Sequence, residues 1–188
     1  MTERRIPIDT PHGHLALPPA GHGPPVLVAH EWRGLPGHIT DVTRRLAAEG
    51  FVALAADLDP DGGVELLTAA ADFLLAHPAV TADVLGAVGF GRGAGLVLHH
   101  AARDPRVVAA VCFYGLPQDQ LPDFFGLNAE ILGHYDTTVP RESLDALRRA
   151  ISAQSRITPD LRVHEAYDAG AFARAWDGAL GFLRERLG

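Results

Sequence analysis

Residues 85–98, LGAVGFGRGAGLVL, are the part of the chain that decides its fold. Val84–Val88 is a short apolar run that predicts a buried strand, and the apolar spacing after Gly93 predicts a helix. A strand, a sharp turn and a helix in this order are the setting of the G-x-S-x-G pattern, in which a serine or cysteine occupies the tip of a strained turn. Here the pattern is Gly89-Phe90-Gly91-Arg92-Gly93, so its centre carries neither a hydroxyl nor a thiol.

The rest of the chain alternates strand and helix signals from about Pro25 to the C-terminus, which predicts a mainly parallel sheet covered by helices. Before it, the turn signal Thr10-Pro11-His12-Gly13 predicts an N-terminal β-hairpin. We see no repeat or linker and expect one domain, residues 1–188. The predicted strands of the sheet are Pro25–Ala29, Phe51–Ala56, Val84–Val88, Val107–Phe113, Ala129–Leu132 and Leu161–Ala166. Helices are predicted around Ile39–Leu46, at Val64–Ala76, from Arg92 to about Ala102, around Leu144–Ile151 and at Phe172–Leu187.

Composition excludes several classes of function. The net charge of −7 disfavours nucleic acid, which needs a clustered basic surface. All 16 basic residues are arginine, so Schiff-base and P-loop lysine chemistry are absent. The 10 histidines lack metal-ligand spacing, and we expect neither metal nor cofactor. With a single cysteine, no signal-peptide core and no membrane-length apolar run, we expect a cytoplasmic protein that is a monomer or a small homo-oligomer.

Two ordered blocks, Val26–Leu35 (VLVAHEWRGL) and Ile39–Leu58, closely resemble the dienelactone hydrolase family. The resemblance extends through the glycine-rich turn, Gly133–Asp136 and Phe172. It implies a three-layer α/β-hydrolase fold and a family that cleaves small cyclic or activated esters with a Cys or Ser, His and Asp triad. The chain is shorter than is usual for the family, and the missing stretch falls between Asp57 and the turn.

The resemblance implies an incomplete triad. The family's nucleophile falls on Gly91, its acid on Asp136 and its histidine on Gly170. Glycine has no atom that attacks a carbonyl and no imidazole that moves a proton, so triad hydrolysis is predicted to be absent. The resemblance also matches Glu31 to the glutamate that partners the family's thiol, and Arg174 to an arginine that holds a substrate carboxylate.

Other residues complete the predicted pocket. His30 belongs to the family's opening motif and is expected to support its loop, while Trp32 and Tyr114 are expected to line the pocket mouth. Arg92, at the start of the helix, either attracts an anion or is a solvated surface arginine. Glu31 is a general acid or base, or an ion-pair partner. Three further residues are not expected to rescue catalysis: His134, His164 and the strand residue Cys112.

Four functions stay open. The first is a family member without triad hydrolysis that binds a small carboxylate or acyl-like ligand at the carboxyl ends of the strands. The second is an isomerase, lyase or cyclase that uses Glu31 or Asp136 as general acid or base. The third is a weak residual ester or lactone hydrolase, and the fourth a purely structural or partner-binding role.

Overall fold

A computed structural model describes residues 8–10, 13–30, 37–58, 63–118, 120–165 and 169–188. These residues form one eight-stranded sheet with the strand order β1-β2-β4-β3-β5-β6-β7-β8. The strands are β1 (Ile8–Thr10), β2 (Gly13–Ala16), β3 (Pro25–Ala29), β4 (Val52–Ala56), β5 (Leu85–Phe90), β6 (Val107–Phe113), β7 (Glu130–Asp136) and β8 (Asp160–His164). The helices are α1 (Gly37–Ala48), α2 (Gly63–Leu75), α3 (Arg92–Arg103), α4 (Arg141–Gln154) and α5 (Ala169–Leu187).

Strands β3 to β8 pair in parallel, and the antiparallel hairpin β1–β2 joins their sheet beside β4. All five residues of β3 and of β4 are buried, because helices cover both faces of a parallel sheet. The expected three-layer α/β-hydrolase fold, with its N-terminal hairpin, is confirmed.

The helices divide between the two faces of the sheet. One apolar core packs the sheet against α2, α3 and α4, and the other packs it against α1 and α5. We call the second side the α1/α5 face. Helix α5 places Trp176, Leu180 and Leu183 in that core, as the apolar spacing of the C-terminal segment predicts. Within the described residues, none of the helices has the length and apolar character needed to cross a bilayer.

The register of the parallel strands aligns side chains at their carboxyl ends. Phe90 is the partner of Phe113, and Phe113 is the partner of His134. Asp136 is paired in the same way with His164. Since partners in a parallel ladder point to the same face, these residues form two short rows across β5 to β8. The carboxyl edge of an open parallel sheet is where ligand sites form in such folds.

One strand differs from its prediction in a way that matters for the site. The predicted strand Ala129–Leu132 extends to Asp136, because residues 132–136 pair with β8 along their whole length. Asp136 is therefore the last residue of a strand, rather than a residue of the loop after it.

Candidate functional site

The turn between β5 and α3 has the geometry of a nucleophile elbow. Gly91 is the residue before helix α3 and has φ 54° and ψ −125°. Its N–H donates to the carbonyl of Phe113 at 2.9 Å, and its own carbonyl accepts from the N–H of Ala94 at 3.0 Å. A residue with a side chain is strained in this region of backbone space, whereas glycine adopts it freely.

Glycines around this turn allow unusually close backbone contacts. A Cβ atom on Gly115 would lie 1.7 Å from the carbonyl oxygen of Gly91. One on Gly93 would lie 2.5 Å from the carbonyl of Ala29, and one on Gly89 would lie 2.5 Å from the Cα of Ala94. The turn is thus held between β3 and the segment after β6, and its shape depends on residues that have no side chain.

Tyr114 follows β6 and is held in an uncommon conformation. Its φ is 65°, and within the described part of the chain it is the one residue other than glycine with a positive φ. Its N–H donates to the carbonyl of His134 at 2.8 Å, and its ring is tilted against Phe113 with 5.9 Å between centroids. The strained backbone places a half-buried tyrosine beside the Gly91 turn.

Asp136 ends β7 with its carboxylate bound to the following turn. Oδ1 accepts from the N–H of Thr138 at 2.9 Å, and the Thr138 hydroxyl donates to the same oxygen. The hydroxyl and the N–H of Thr138 lower the pKa of Asp136 below its ordinary value. Asp136 is therefore ionised at neutral pH and engaged by its own loop. Aspartate followed two residues later by threonine is a turn signal from which this contact could have been predicted.

Removing the Thr138 hydroxyl tests this arrangement. We expect Thr138→Ala to raise the pKa of Asp136, because the hydrogen bond that most favours the carboxylate is lost. Thr138→Ser is the matched control, since it keeps the hydroxyl, and it should leave the pKa low. The titration is followed by NMR of the side-chain carboxyl carbon. An unchanged pKa in the alanine variant would contradict the proposed cause.

Two histidines that were not expected to act in the site form a pair on the α1/α5 face. Nδ1 of His134 lies 3.1 Å from Nε2 of His164, on the neighbouring strand. His134 is only 1% exposed, whereas His164 is half-buried. The ring of His134 also stacks on Phe113, with 5.3 Å between centroids and 16° between planes. Among the described residues, the buried Nε2 of His134 has no hydrogen-bond partner.

His134 is held in its neutral form. Burial, and then the neighbouring His164 and Arg162, lower its pKa from 6.5 to about 4, with Asp160 opposing them. The unfolded chain takes up a proton near pH 6.5 and the folded chain only near pH 4. The contribution of neutral His134 to the free energy of unfolding is therefore fully present above pH 6.5. It is lost as the pH falls from 6.5 to 4.

His134→Phe keeps an aromatic ring on Phe113 and removes this titration. The free energy of unfolding falls between neutral pH and pH 4. We expect this fall to be smaller in the variant than in the wild type by about 1–2 kcal/mol. Urea unfolding at a series of pH values measures it. Part of the slope should persist, because burial also lowers the pKa of His100 on α3. The exposed His22 provides the control His22→Gln, and an equal slope in all three proteins would refute the prediction.

The structure describes some of the remaining predicted site residues and not others. Glu31 and Trp32 lie outside the described residues. His30 is 2% exposed, and its Nε2 lies 3.0 Å from the carbonyl of Ala56 at the end of β4. Arg92 is the first residue of α3 and is half-buried.

Helix α5 carries two more predicted site residues. Gly170 is the second residue of the helix and is exposed, and Arg174 is exposed one turn later. Ala171, between them, is buried. The first turn of α5 therefore lies against the sheet beneath Gly170.

Cys112 lies in the core and is not a candidate nucleophile. It is fully buried, its pKa is raised to about 12 by burial, and its thiol faces the carbonyl of Ala94 at 3.7 Å. A thiol with this pKa is almost entirely protonated at neutral pH and is not an effective nucleophile.

The two histidines of α3 give no sign of a metal site. His100 is buried, with Nδ1 3.4 Å from the hydroxyl of Thr68 and Nε2 3.7 Å from Asp104. Within the described ranges, no three His, Cys, Asp or Glu side chains meet as a metal-binding group.

A groove of some size lies away from these residues. It encloses about 540 Å³ between the end of α3 and residues 120–126, and its lining includes His99, Arg103 and Phe125. His99 is eight residues along α3 from Gly91, or about 12 Å of helix. Because none of the predicted site residues lines this groove, we place the candidate site at the carboxyl edge of the sheet and not here.

Comparisons with known proteins agree with this architecture. The sequence model of the Dienelactone hydrolase family matches residues 12–65 and 59–187. A protein of Salmonella typhi named "Putative carboxymethylenebutenolidase" is 31% identical over 177 residues, covering 74% of this chain and 66% of that protein. The chain thus spans just under two thirds of that relative. A protein of Aquifex aeolicus with the same name is 29% identical over 217 aligned residues and covers 93% of both chains.

A solved structure extends the comparison to three dimensions. A dienelactone hydrolase-like promiscuous phosphotriesterase from metagenomic libraries has a TM-score of 0.77 and 25% identity. The match covers 89% of this chain and 88% of that one. With its parallel sheet, its β5–α3 turn and a family match along nearly its whole length, the chain belongs to the dienelactone hydrolase family.

Proposed function

We propose that this protein does not hydrolyse esters or lactones by the Cys or Ser, His and Asp route, and that it binds a small carboxylate or acyl-like ligand. The observation that carries the proposal is Gly91 at the β5–α3 turn, with φ 54° and ψ −125°. This is the strand–turn–helix position at which family members place the nucleophile. Covalent catalysis there has no attacking atom.

The second loss is at the start of α5. In the family pattern the histidine precedes a small residue and a phenylalanine, and here Gly170 precedes Ala171 and Phe172. Asp136 then has no imidazole at that position to orient, and its carboxylate is bound by Thr138. Triad members act as a unit, so the aspartate alone retains little of their effect.

Ligand binding is supported by groups that remain at the carboxyl edge. Helix α3 begins at Arg92, so the positive end of its dipole and a guanidinium lie beside the Gly91 turn. Arg174 is a second cation, exposed near the start of α5 on the other side of the sheet. Together with Tyr114 at the mouth, these groups suit a small anion such as a carboxylate.

Hydrolysis of an activated aryl ester and of a small lactone by the pure protein tests the proposal. We expect no turnover above a Glu31→Gln/Asp136→Asn control. Turnover that is lost in the control would overturn the proposal and support a residual hydrolase. Ligand binding is then tested by thermal shift with small carboxylates and their amides, and a response to the carboxylates alone is expected.

The non-hydrolytic alternative is less well supported. It needs a carboxylate that exchanges protons near neutral pH, and the pKa of Asp136 is lowered by Thr138 instead of raised. The alternative therefore depends on Glu31. Loss of an isomerase or lyase turnover in Glu31→Gln would support it, and binding of substrate analogues without any turnover would count against it.

A further inference from the structure

The His134–His164 pair is the one imidazole cluster at the carboxyl edge, within the described chain, that the proposed function leaves without a role. His134 follows Phe113 in the row that begins at Phe90, the residue immediately before Gly91. Two strand spacings separate Phe90 from His134, which is about 10 Å. A ligand about 10 Å long is needed to contact both the Gly91 turn and the pair, and a smaller carboxylate at the pair contacts the pair alone.

The pair lies on the side of the sheet that α5 covers. Phe113, on which His134 stacks, also contacts Phe172 and Trp176 of α5, at 5.9 and 6.4 Å between ring centroids. His164 is the register partner of Asp136, so the pair sits next to the strand end that carries the proposed acid. The His134–His164 pair therefore lies on the face of the sheet that α5 covers and at the edge where α5 begins. Under our proposal, Gly170 in the first turn of α5 replaces an imidazole.

Two neutral imidazoles that face each other nitrogen to nitrogen share one proton in an N–H···N hydrogen bond. A second proton gives an imidazolium whose charge strengthens that bond, provided that the cost of a buried charge is offset. Arg162 opposes the charge, while Asp160 favours it, and the α5 rings facing Phe113 are uncharged. The buried Nε2 of His134, without a partner in the described chain, is a further polar atom that a ligand or its water can satisfy.

We propose that the His134–His164 pair takes up one proton when a carboxylate ligand binds, so that the protein selects small carboxylates and binds them more tightly at lower pH. The two rings share this proton through the contact between Nδ1 of His134 and Nε2 of His164. The carboxylate offsets the charge that burial otherwise excludes. This inference rests on the proposed ligand-binding function and names the group that makes the binding selective and dependent on pH.

Arginine cannot produce this dependence. A guanidinium group in general keeps its charge between about pH 6 and 8.5, and a small carboxylate stays ionised over this range. Binding that uses only the arginines would therefore be independent of pH. By linkage, uptake of one proton makes Kd rise about tenfold for each pH unit above the titration of the pair.

The test is an NMR titration of the full chain with acetate, butyrate and benzoate, and with the corresponding amides, at pH 6, 7 and 8. For the wild type we expect carboxylates but not amides to bind, with Kd rising about tenfold between pH 7 and 8. His134→Phe and His164→Gln should each abolish this slope, and His22→Gln should keep it. In the wild type, the imidazole ¹⁵N signals of the pair should shift toward imidazolium values as the carboxylate is added, which does not depend on any variant folding.

The outcomes separate the two proposals. Carboxylate binding with no pH slope, or with a slope that persists in both variants, would overturn the role of the pair and leave the ligand-binding function standing. Absence of binding by any of the carboxylates would overturn both. Equal binding of the amides would show that the site does not select a charge, and would also refute the role of the pair.

Discussion

Gly115→Ala is expected to lower the free energy of unfolding by about 3 kcal/mol or more. The new Cβ would lie 1.7 Å from the carbonyl oxygen of Gly91 and 2.4 Å from its carbonyl carbon. Both atoms belong to the backbone of the turn, so no flexible side chain can move aside. Either the segment after β6 or the turn itself must shift, and the turn is already held by the hydrogen bond from Gly91 to Phe113.

Urea unfolding of Gly115→Ala beside Gly181→Ala measures this effect. Gly181 is the matched control, because it lies within α5 and a Cβ there meets nothing within 4 Å. We expect the control to gain about 0.5–1 kcal/mol from its higher helix propensity. If both variants were as stable as the wild type, the close contact between Gly115 and the turn would not exist in solution.

The strands that the sequence predicts best are the continuous apolar runs that are buried on both faces of the sheet. Pro25–Ala29 and Val107–Phe113 are observed with the predicted bounds. Both are continuous apolar runs, which is how strands buried on two faces read in a parallel sheet. The turn at Gly91 is equally local, since the spacing of three glycines after a strand specifies it without knowledge of any distant residue.

Strand β7 shows where local reading fails. The predicted strand ends at Leu132, before a glycine, yet the observed strand continues to Asp136 between two paired neighbours. Pairing on both sides outweighs the propensity of single residues.

The histidine pair was missed for the same reason. His134 and His164 are 30 residues apart, and only the register of β7 against β8 brings their rings within 3.1 Å of each other. From the sequence, neither histidine is expected to approach Gly91, and so neither is expected to act in the site. That Gly91, Asp136 and Gly170 are degenerate triad positions stays a prediction, which measurements of activity test.

Introducing a thiol and an imidazole at the two proposed triad positions, Gly91 and Gly170, should create ester hydrolysis. We expect Gly91→Cys/Gly170→His to hydrolyse an activated aryl ester at least about 10²-fold faster than the wild type. An intact triad contributes about 10⁶-fold to kcat. Misplacement of a catalytic group by about 1 Å lowers the rate about 10²-fold. If both new side chains are misplaced in this way, about 10²-fold of the triad's contribution remains.

The turn imposes a cost on the new nucleophile. A residue with a Cβ at φ 54° and ψ −125° is strained by about 1–3 kcal/mol, as nucleophiles in such turns are. Gly91→Ala carries the same strain without a thiol and is therefore the matched control for both stability and activity. We expect it to be destabilised to the same extent as Gly91→Cys and to hydrolyse nothing.

Two further variants decide what the gain means. Gly91→Cys alone should react with iodoacetamide but turn over slowly, because no imidazole at position 170 activates the thiol. Adding Asp136→Asn to the double variant should reduce its activity, since the aspartate orients the restored histidine. If Gly91→Cys/Gly170→His stayed folded and labelled with iodoacetamide, yet hydrolysed no faster than Gly91→Cys, position 170 would not be the place of the family's histidine. Another residue at this edge would then have to transfer the proton. The first to test by substitution would be His164, the register partner of Asp136.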